Sequence, residues 1–214
     1  GGYEGEGNFD QNPEFCNPAL GNYELSNSSS SLFMGQDSSH VGFSQDPGCN
    51  ESYSNYSLRF DGNDDYVDLG NDDSFNFGTG DFTVGAWINP ASASQNARIV
   101  ARGSTNTPGC YQLNINPGGG LRLSFFEGDL NSNNNMIQAE TWQYLVMTKT
   151  GNTIKGYVNA VEVVNAFNSS DLTSDQALAI GYQPGYESYF NGLIDEVALW
   201  DRALTEEEIQ NQSS

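Results

Sequence analysis

The sequence predicts an all-β domain, a sandwich or a barrel, that ends in one short helix. Three observations predict it. From residue 56 onward, strand-like runs recur at near-regular spacing. Turn signals separate them: Asp61-Gly62, Asn89-Pro90, Pro117-Gly118-Gly119-Gly120, Gly151-Asn152 and Pro184-Gly185. The composition agrees, with 24 glycines, 12% aromatic residues and only 16% charged residues. The polar surface must then come from Asn, Ser, Gln, Thr and Gly. That mixture suits strands joined by turns, whereas a helical bundle needs more Ala, Leu, Glu and Lys. Third, one segment carries helix-start chemistry: Thr205 as N-cap and Glu208 three residues on form a capping box.

Residues 1–15 open with Gly1-Gly2-Tyr3-Glu4-Gly5-Glu6-Gly7 and read as an acidic tail or linker. Residues 16–211 are expected to form a single domain, a usual size for one all-β core. A first strand is expected over 20–25, followed by a Ser/Asn-rich stretch and a short apolar run near 40–43. The regular region then predicts strands over 56–60, 66–69, 81–89, 97–101, 110–116, 121–126, 142–149, 153–159, 162–166, 177–181 and 192–200. Residues 127–135 are polar and amide-rich and read as a loop. Trp87, Trp142 and Trp200 fall in strand patterns and are expected in the core.

The net charge is −21, from 7 Lys+Arg and 28 Asp+Glu. Such a surface repels phosphate backbones and anionic lipid, so neither nucleic acid nor a membrane is an expected partner. It favours divalent cations and keeps a secreted protein soluble. Cysteines stand at 16, 49 and 110, without a CxxC pair, and His40 is the only histidine, which argues against a zinc cluster. A bridge between Cys16 and Cys49 would staple the N-terminal segment. Cys110 opens an alternating run that could place it in the core as a small hydrophobe. Three thiols leave one unpaired, and the pairing stays open at this level. The low-lysine, Asn/Ser-rich style favours a secreted or cell-surface setting. No signal peptide is visible, and no apolar run is long enough to span a bilayer.

The last strand carries an acid pair. Simple alternation puts Asp195 on one face with Leu193, Val197 and Leu199, and Glu196 on the other with Ile194, Ala198 and Trp200. A carboxylate among such neighbours needs backbone donors, an arginine or a metal ion. With the capped turn that follows, this points to a structural cation site at one end of a sandwich.

Catalysis is not expected. Adjacent strand residues point opposite ways, so Asp195 and Glu196 cannot flank a glycosidic bond together. His40 has no nucleophile motif beside it, and G-x-S-x-G and P-loop patterns are absent. Two segments suit a sugar. Residues 181–190 hold Tyr182, Tyr186 and Tyr189, whose rings can carry C–H faces. The loop at 127–135 adds Asp129 and Asn131 as hydrogen-bonding groups. Arg98 and Arg102, scarce cations in an acidic chain, could meet an anionic sugar.

The order of motifs resembles a family. The run Tyr56-Ser57-Leu58-Arg59-Phe60-Asp61-Gly62 through Tyr66-Val67-Asp68-Leu69 is similar to the opening of bacterial laminin-G-like, concanavalin A-like modules. Asp81-Phe82-Thr83-Val84-Gly85-Ala86-Trp87-Ile88 resembles their next strand. Trp142, Leu145 and Thr148 match a W-x-x-v-x-x-T strand, Tyr157-Val158-Asn159 a Y-V-D/N element, and residues 191–209 the closing motif. The resemblance implies a jelly-roll sandwich of two antiparallel sheets. It also implies a calcium ion away from the curved face, with Asp61 and Asp195 as ligands to test. Asp64, Asp65 and Asp68 are expected as a solvated rim, and Tyr66 stands where an EF-hand needs glycine. The E-x-D-x-x-E strand of glycosidases on this fold is missing. The implied function is a secreted, non-catalytic, calcium-stabilised carbohydrate-binding module of a larger extracellular protein, its partner a polysaccharide or other glycan. A cell-surface adhesion module with a protein partner and a glycan-active enzyme are the alternatives.

Overall fold

The computed structural model describes residues 15–17, 22–25 and 57–214, apart from 184, 185 and 187. Cys49, the Cys16 side chain and residues 40–43 lie outside the described residues, and with them the expected Cys16–Cys49 bridge. The chain divides into two compact units, residues 1–55 and 56–214. In the first, β1 (Phe15–Asn17) pairs antiparallel with β2 (Asn22–Leu25) in a sheet of two strands. The strand expected over 20–25 is present over Asn22–Leu25 and pairs with β1.

The second unit holds β3 (Leu58–Asp61), β4 (Val67–Asp68), β5 (Phe82–Pro90), β6 (Ala97–Arg102), β7 (Tyr111–Ile115), β8 (Leu121–Phe125) and β9 (Gly128–Asn131). It continues with β10 (Gln143–Thr150), β11 (Thr153–Val158), β12 (Val161–Phe167), β13 (Leu178–Ile180), β14 (Asn191–Trp200) and helix α1 (Glu206–Gln212). They build two six-stranded sheets, in the orders β12-β11-β10-β5-β14-β3 and β4-β13-β6-β7-β8-β9. Every pairing is antiparallel, as a jelly-roll sandwich requires.

Period-two alternation explains the core. Phe82, Val84, Ala86 and Ile88 of β5 point inward and meet Leu113 and Ile115 of β7 and Leu121, Leu123 and Phe125 of β8. Each large side chain so buried contributes about 1.5–3 kcal/mol. Phe77 stacks on Phe82 at 4.6 Å between centroids and closes one end of this layer.

A second apolar cluster lies on the outer face of the first sheet. Tyr144, Val146 and Tyr157 are covered there by Leu204 and Ile209, with Trp87 and Trp200 at the margin. The capping box starts α1 as the sequence predicts: the Glu208 N–H donates to the Thr205 hydroxyl, and the Thr205 N–H to the Glu208 carboxylate. The Trp87 indole N–H donates to the Gln212 carbonyl at 3.2 Å. Trp87 and Trp200 thus pack beneath the C-terminal segment rather than between the sheets, and Trp142 is exposed.

Two expectations need correction. Residues 128–131 are the edge strand β9, not a loop. They lack β-branched residues, and only Leu130 packs inward, so pairing with β8 supplies the order that composition does not. Alternation also fails within β14. Asp195 pairs with Trp87, and the next partners are Ala198 and Gly85, with Glu196 at φ 45°. This bulge inserts one extra residue and reverses the faces beyond it. Ile194 points into the inter-sheet core before it, and Val197 and Leu199 after it. Asp195 therefore lies on the outer face beside Trp87, half-buried, and does not share a face with Val197 and Leu199.

Candidate ligand-binding face

The outward face of the second sheet is polar. Register aligns Arg98, Asn114, Arg122 and Asn131 across β6, β7, β8 and β9 in one row. The neighbouring row runs Asp68, Ala179, Ala101, Gln112, Ser124 and Asp129 across all six strands. An outward sheet face usually meets water, yet Gln112 and Asn114 are fully buried and Arg98 is 6% exposed. Buried polar groups need partners. Asn114 donates to Ser124 Oγ at 2.8 Å and to Gln112 Oε1 at 3.3 Å, and Gln112 donates to the Gly103 carbonyl at 2.7 Å. Four atoms here have no partner among the described residues: Arg98 Nε, Arg122 Nε, Asn114 Oδ1 and Gln183 Oε1.

The two arginines converge on Asn96. Its Oδ1 accepts from Arg122 Nη2 at 2.7 Å and from Arg98 Nη1 at 3.3 Å. Arg98 Nη1 also donates to Ser188 Oγ at 2.8 Å, and Ser188 Oγ in turn donates to the Asn96 carbonyl. Arg122 Nη1 lies 3.6 Å from the Asp129 carboxylate. Burial holds the Arg98 guanidinium below its usual pKa, and the Arg122 charge acts in the same direction. Asp129 and Tyr186 oppose them.

The tyrosine segment joins the same end of the sheet. The Gly181 N–H donates to the Ile99 carbonyl, and the Phe190 N–H to the Gly181 carbonyl, so both ends of this segment lie beside β6. Tyr182 stacks on Tyr189 at 4.7 Å and meets Tyr66 at 5.0 Å. Tyr186 bridges to Gln183, is 54% exposed and acts electrostatically on Arg98.

Of the residues expected to bind ligand, Asp129, Asn131 and Tyr186 gather around the arginine row, with Tyr182 and Tyr189 in the adjoining aromatic group. Arg102 is not brought there. It pairs with Tyr111, is fully buried, and donates to Asn76 Oδ1 at 2.9 Å and to the carbonyls of Asp72 and Ser174. Its cation sits 5.7 Å from the Phe75 ring centroid. It ties loops together. Arg122, Asn114 and Gln112 went unnoticed in the sequence because polar residues alternating with apolar ones read as a solvent face. Their pairing across the Pro117–Gly120 turn was the available signal. Cys110 is buried and free, and burial pushes its thiol up to about 11, which makes it inert.

Acidic groups meet elsewhere. Asp61, Asp64 and Asp65 each place one carboxylate oxygen within 4.8 Å of the others, all exposed. Asp65 Oδ2 also accepts the Asp61 N–H at 3.0 Å. Hydrogen bonds from Asn63 hold Asp61 below the usual carboxylate range. Three carboxylates so close fit the oxygen preference of a hard divalent cation. Asp195 is not part of the group. Asn191 is the partner of Asp61, and Asp195 stands four residues further along β14, about 14 Å away. Its carboxylate accepts the Glu196 N–H at 2.8 Å within the bulge. One ion cannot bridge Asp61 and Asp195 in this register. Asp64 and Asp65, expected as a rim, are the acids that meet Asp61.

The family model Laminin_G_3, described as the concanavalin A-like lectin/glucanases superfamily, matches residues 61–210. The chain belongs to that superfamily. No curated protein matches it by sequence. Solved structures resemble this concanavalin A-like domain in fold. Domain 4 of AbnA, a GH43 extracellular arabinanase from Geobacillus stearothermophilus in complex with arabinotriose, is 17% identical with a TM-score of 0.61. That match covers 82% of this chain and 84% of the other. The CBM40 of Ruminococcus gnavus IT-sialidase bound to α2,3 sialyllactose is 12% identical with a TM-score of 0.62, covering 74% and 96%. Domains LG4-5 of the mouse laminin α1 chain are 15% identical with a TM-score of 0.54, covering 70% and 44%. No described helix is long and apolar enough to cross a membrane.

Proposed function

We propose that this concanavalin A-like domain is a secreted, non-catalytic carbohydrate-binding module of a larger extracellular protein, stabilised by calcium. The observation that carries the reading is the polar row of the second sheet, with guanidinium and amide atoms that have no partner among the described residues, beside clustered tyrosines. Sugar hydroxyls both donate and accept, so they suit such a mixture, and aromatic rings suit sugar C–H faces. Two of the structurally similar domains were solved with bound sugars, which supports the same reading.

Within the polar row, carboxylate placement supports a non-catalytic role. Glycoside hydrolysis uses two carboxyl groups about 5–9.5 Å apart. In the polar row Asp68 and Asp129 stand on opposite edge strands, five strand spacings or about 24 Å apart. Calcium is assigned to Asp61, Asp64 and Asp65, whose oxygens are already gathered. The acidic, low-lysine composition fits an exported protein.

The test is retention on a panel of immobilised neutral and acidic polysaccharides, followed by titration calorimetry. At least one glycan is expected to bind. Tyr186→Ala should weaken that binding about tenfold, or ~1.4 kcal/mol, with an unchanged melting temperature. Retention of no glycan, neutral or acidic, refutes the proposal.

A further inference from the structure

Arg98 and Arg122 are two of only seven Lys+Arg in a chain with 28 acids. Both stand on one row, one on each side of Asn114. Three other cations of this unit have settled contacts. Lys149 caps the carbonyls of Thr79 and Gly80, Lys155 meets Glu162 and Glu206, and Arg202 forks onto Glu208. Among the described residues the pair on the row has one carboxylate within ion-pair reach, Asp129, at 3.6 Å from Arg122. Among the described residues Arg98 bonds neutral oxygens only, from Asn96 and Ser188, and all three bonds use Nη1. Its Nε–Nη2 edge makes no hydrogen bond among the described residues, and Nε is buried. That edge is the fork that grips a carboxylate with two parallel bonds.

We propose that Arg98 and Arg122 form a carboxylate-reading subsite, so that the glycan bound at this face is an acidic one. The inference rests on the carbohydrate-binding role proposed above. A buried cation whose hydrogen bonds reach only neutral oxygens among the described residues is costly, and two side by side repel. An incoming carboxylate offsets both. Asn114 Oδ1 and Gln183 Oε1, buried and without partners among the described residues, are acceptors of the kind a sugar hydroxyl donates to. The net charge of −21 opposes any dense polyanion, which favours a chain with isolated acidic units over a fully charged one. Sugar carboxylates come from two sources, a uronic acid within a polysaccharide or a sialic acid at a glycan terminus.

The test sets acidic glycans from both sources against their carboxyl-reduced or methyl-esterified counterparts, with the whole chain, by titration calorimetry. An acidic glycan should bind about tenfold or more tightly than its neutralised counterpart, as expected for a charge-assisted pair. The source that binds names the ligand class. Arg122→Gln should bring that ratio to within about twofold of unity, and Asp129→Asn, by removing the competing carboxylate, should raise it. Arg122 is the position to change because its side chain reaches solvent, whereas Arg98 braces Asn96 and Ser188. Near-UV circular dichroism matching the parent shows that each variant is folded. Neutralised glycans bound as tightly as acidic ones, or full discrimination retained in folded Arg122→Gln, would overturn the subsite and leave the carbohydrate reading standing. Failure of every glycan to bind would overturn both.

Discussion

Gly85 shows how much one side chain, or its lack, decides. It lies mid-strand in β5, where glycine is ordinarily a weakness. The Tyr144 hydroxyl packs against it, and a Cβ there would lie 2.5 Å from that oxygen. The ring lies 5.5 Å from Trp87 and packs in the cluster that Leu204 and Ile209 cover. Gly85→Val is expected to displace Tyr144 and cost about 1–3 kcal/mol. A thermal melt would show it, with the near-UV signal of Trp87 changing as well. A variant as stable as the parent would mean that the cluster repacks freely. The role of Gly85 was not legible in the sequence, because a glycine's neighbour across a sheet depends on register. Cys110 was legible: its place in the Cys110–Asn116 alternation anticipated a buried thiol, and it is buried.

Among elements, α1 was the most readable. Its start depends on Thr205 and Glu208, three residues apart, and both halves of the capping box form. Arg202 forks onto Glu208 at 2.7 and 2.9 Å, and with the Thr205 N–H it pulls the Glu208 carboxyl from 4.5 down to about 2. A depressed carboxyl pKa contributes stability above its unfolded value that is lost as pH falls through the folded one. Docking of α1 should therefore weaken between pH 4.5 and about 2. Glu208→Gln should flatten that limb of a stability–pH curve, while Thr205→Ala should cost about 1 kcal/mol at neutral pH. An acid limb of equal slope in Glu208→Gln would contradict this origin. β9 was the least readable element. Gly128, Asp129 and Asn131 are poor strand formers, and they extend because β8 offers an edge.

At the scale of the whole molecule, the two sheets close one core and α1 closes a second, smaller cluster. The proposed ion acts here, since anything bound only by the folded chain stabilises it by mass action. Chelation should lower the melting temperature, and Asp61→Asn should remove that response. Asp195→Asn should keep it, because Asp195 lies about 14 Å along the sheet from Asp61. A chelator response lost with Asp195 and kept with Asp61 would reverse the assignment.

Strand positions, most turns and the capped helix were present in the sequence because each follows from residues a few places apart. Which acids meet, and which polar residues share a row, were not. Asp61 finds Asp64 and Asp65 rather than Asp195 because the pairing of β3 with β14 sets Asn191 opposite Asp61. The bulge at Glu196 turns Asp195 outward in a way that no alternation pattern anticipates. Arg98 and Arg122, 24 positions apart, become neighbours only when β6, β7 and β8 are in register. Local periodicity chose the elements, and hydrogen-bond registry between distant strands chose the site.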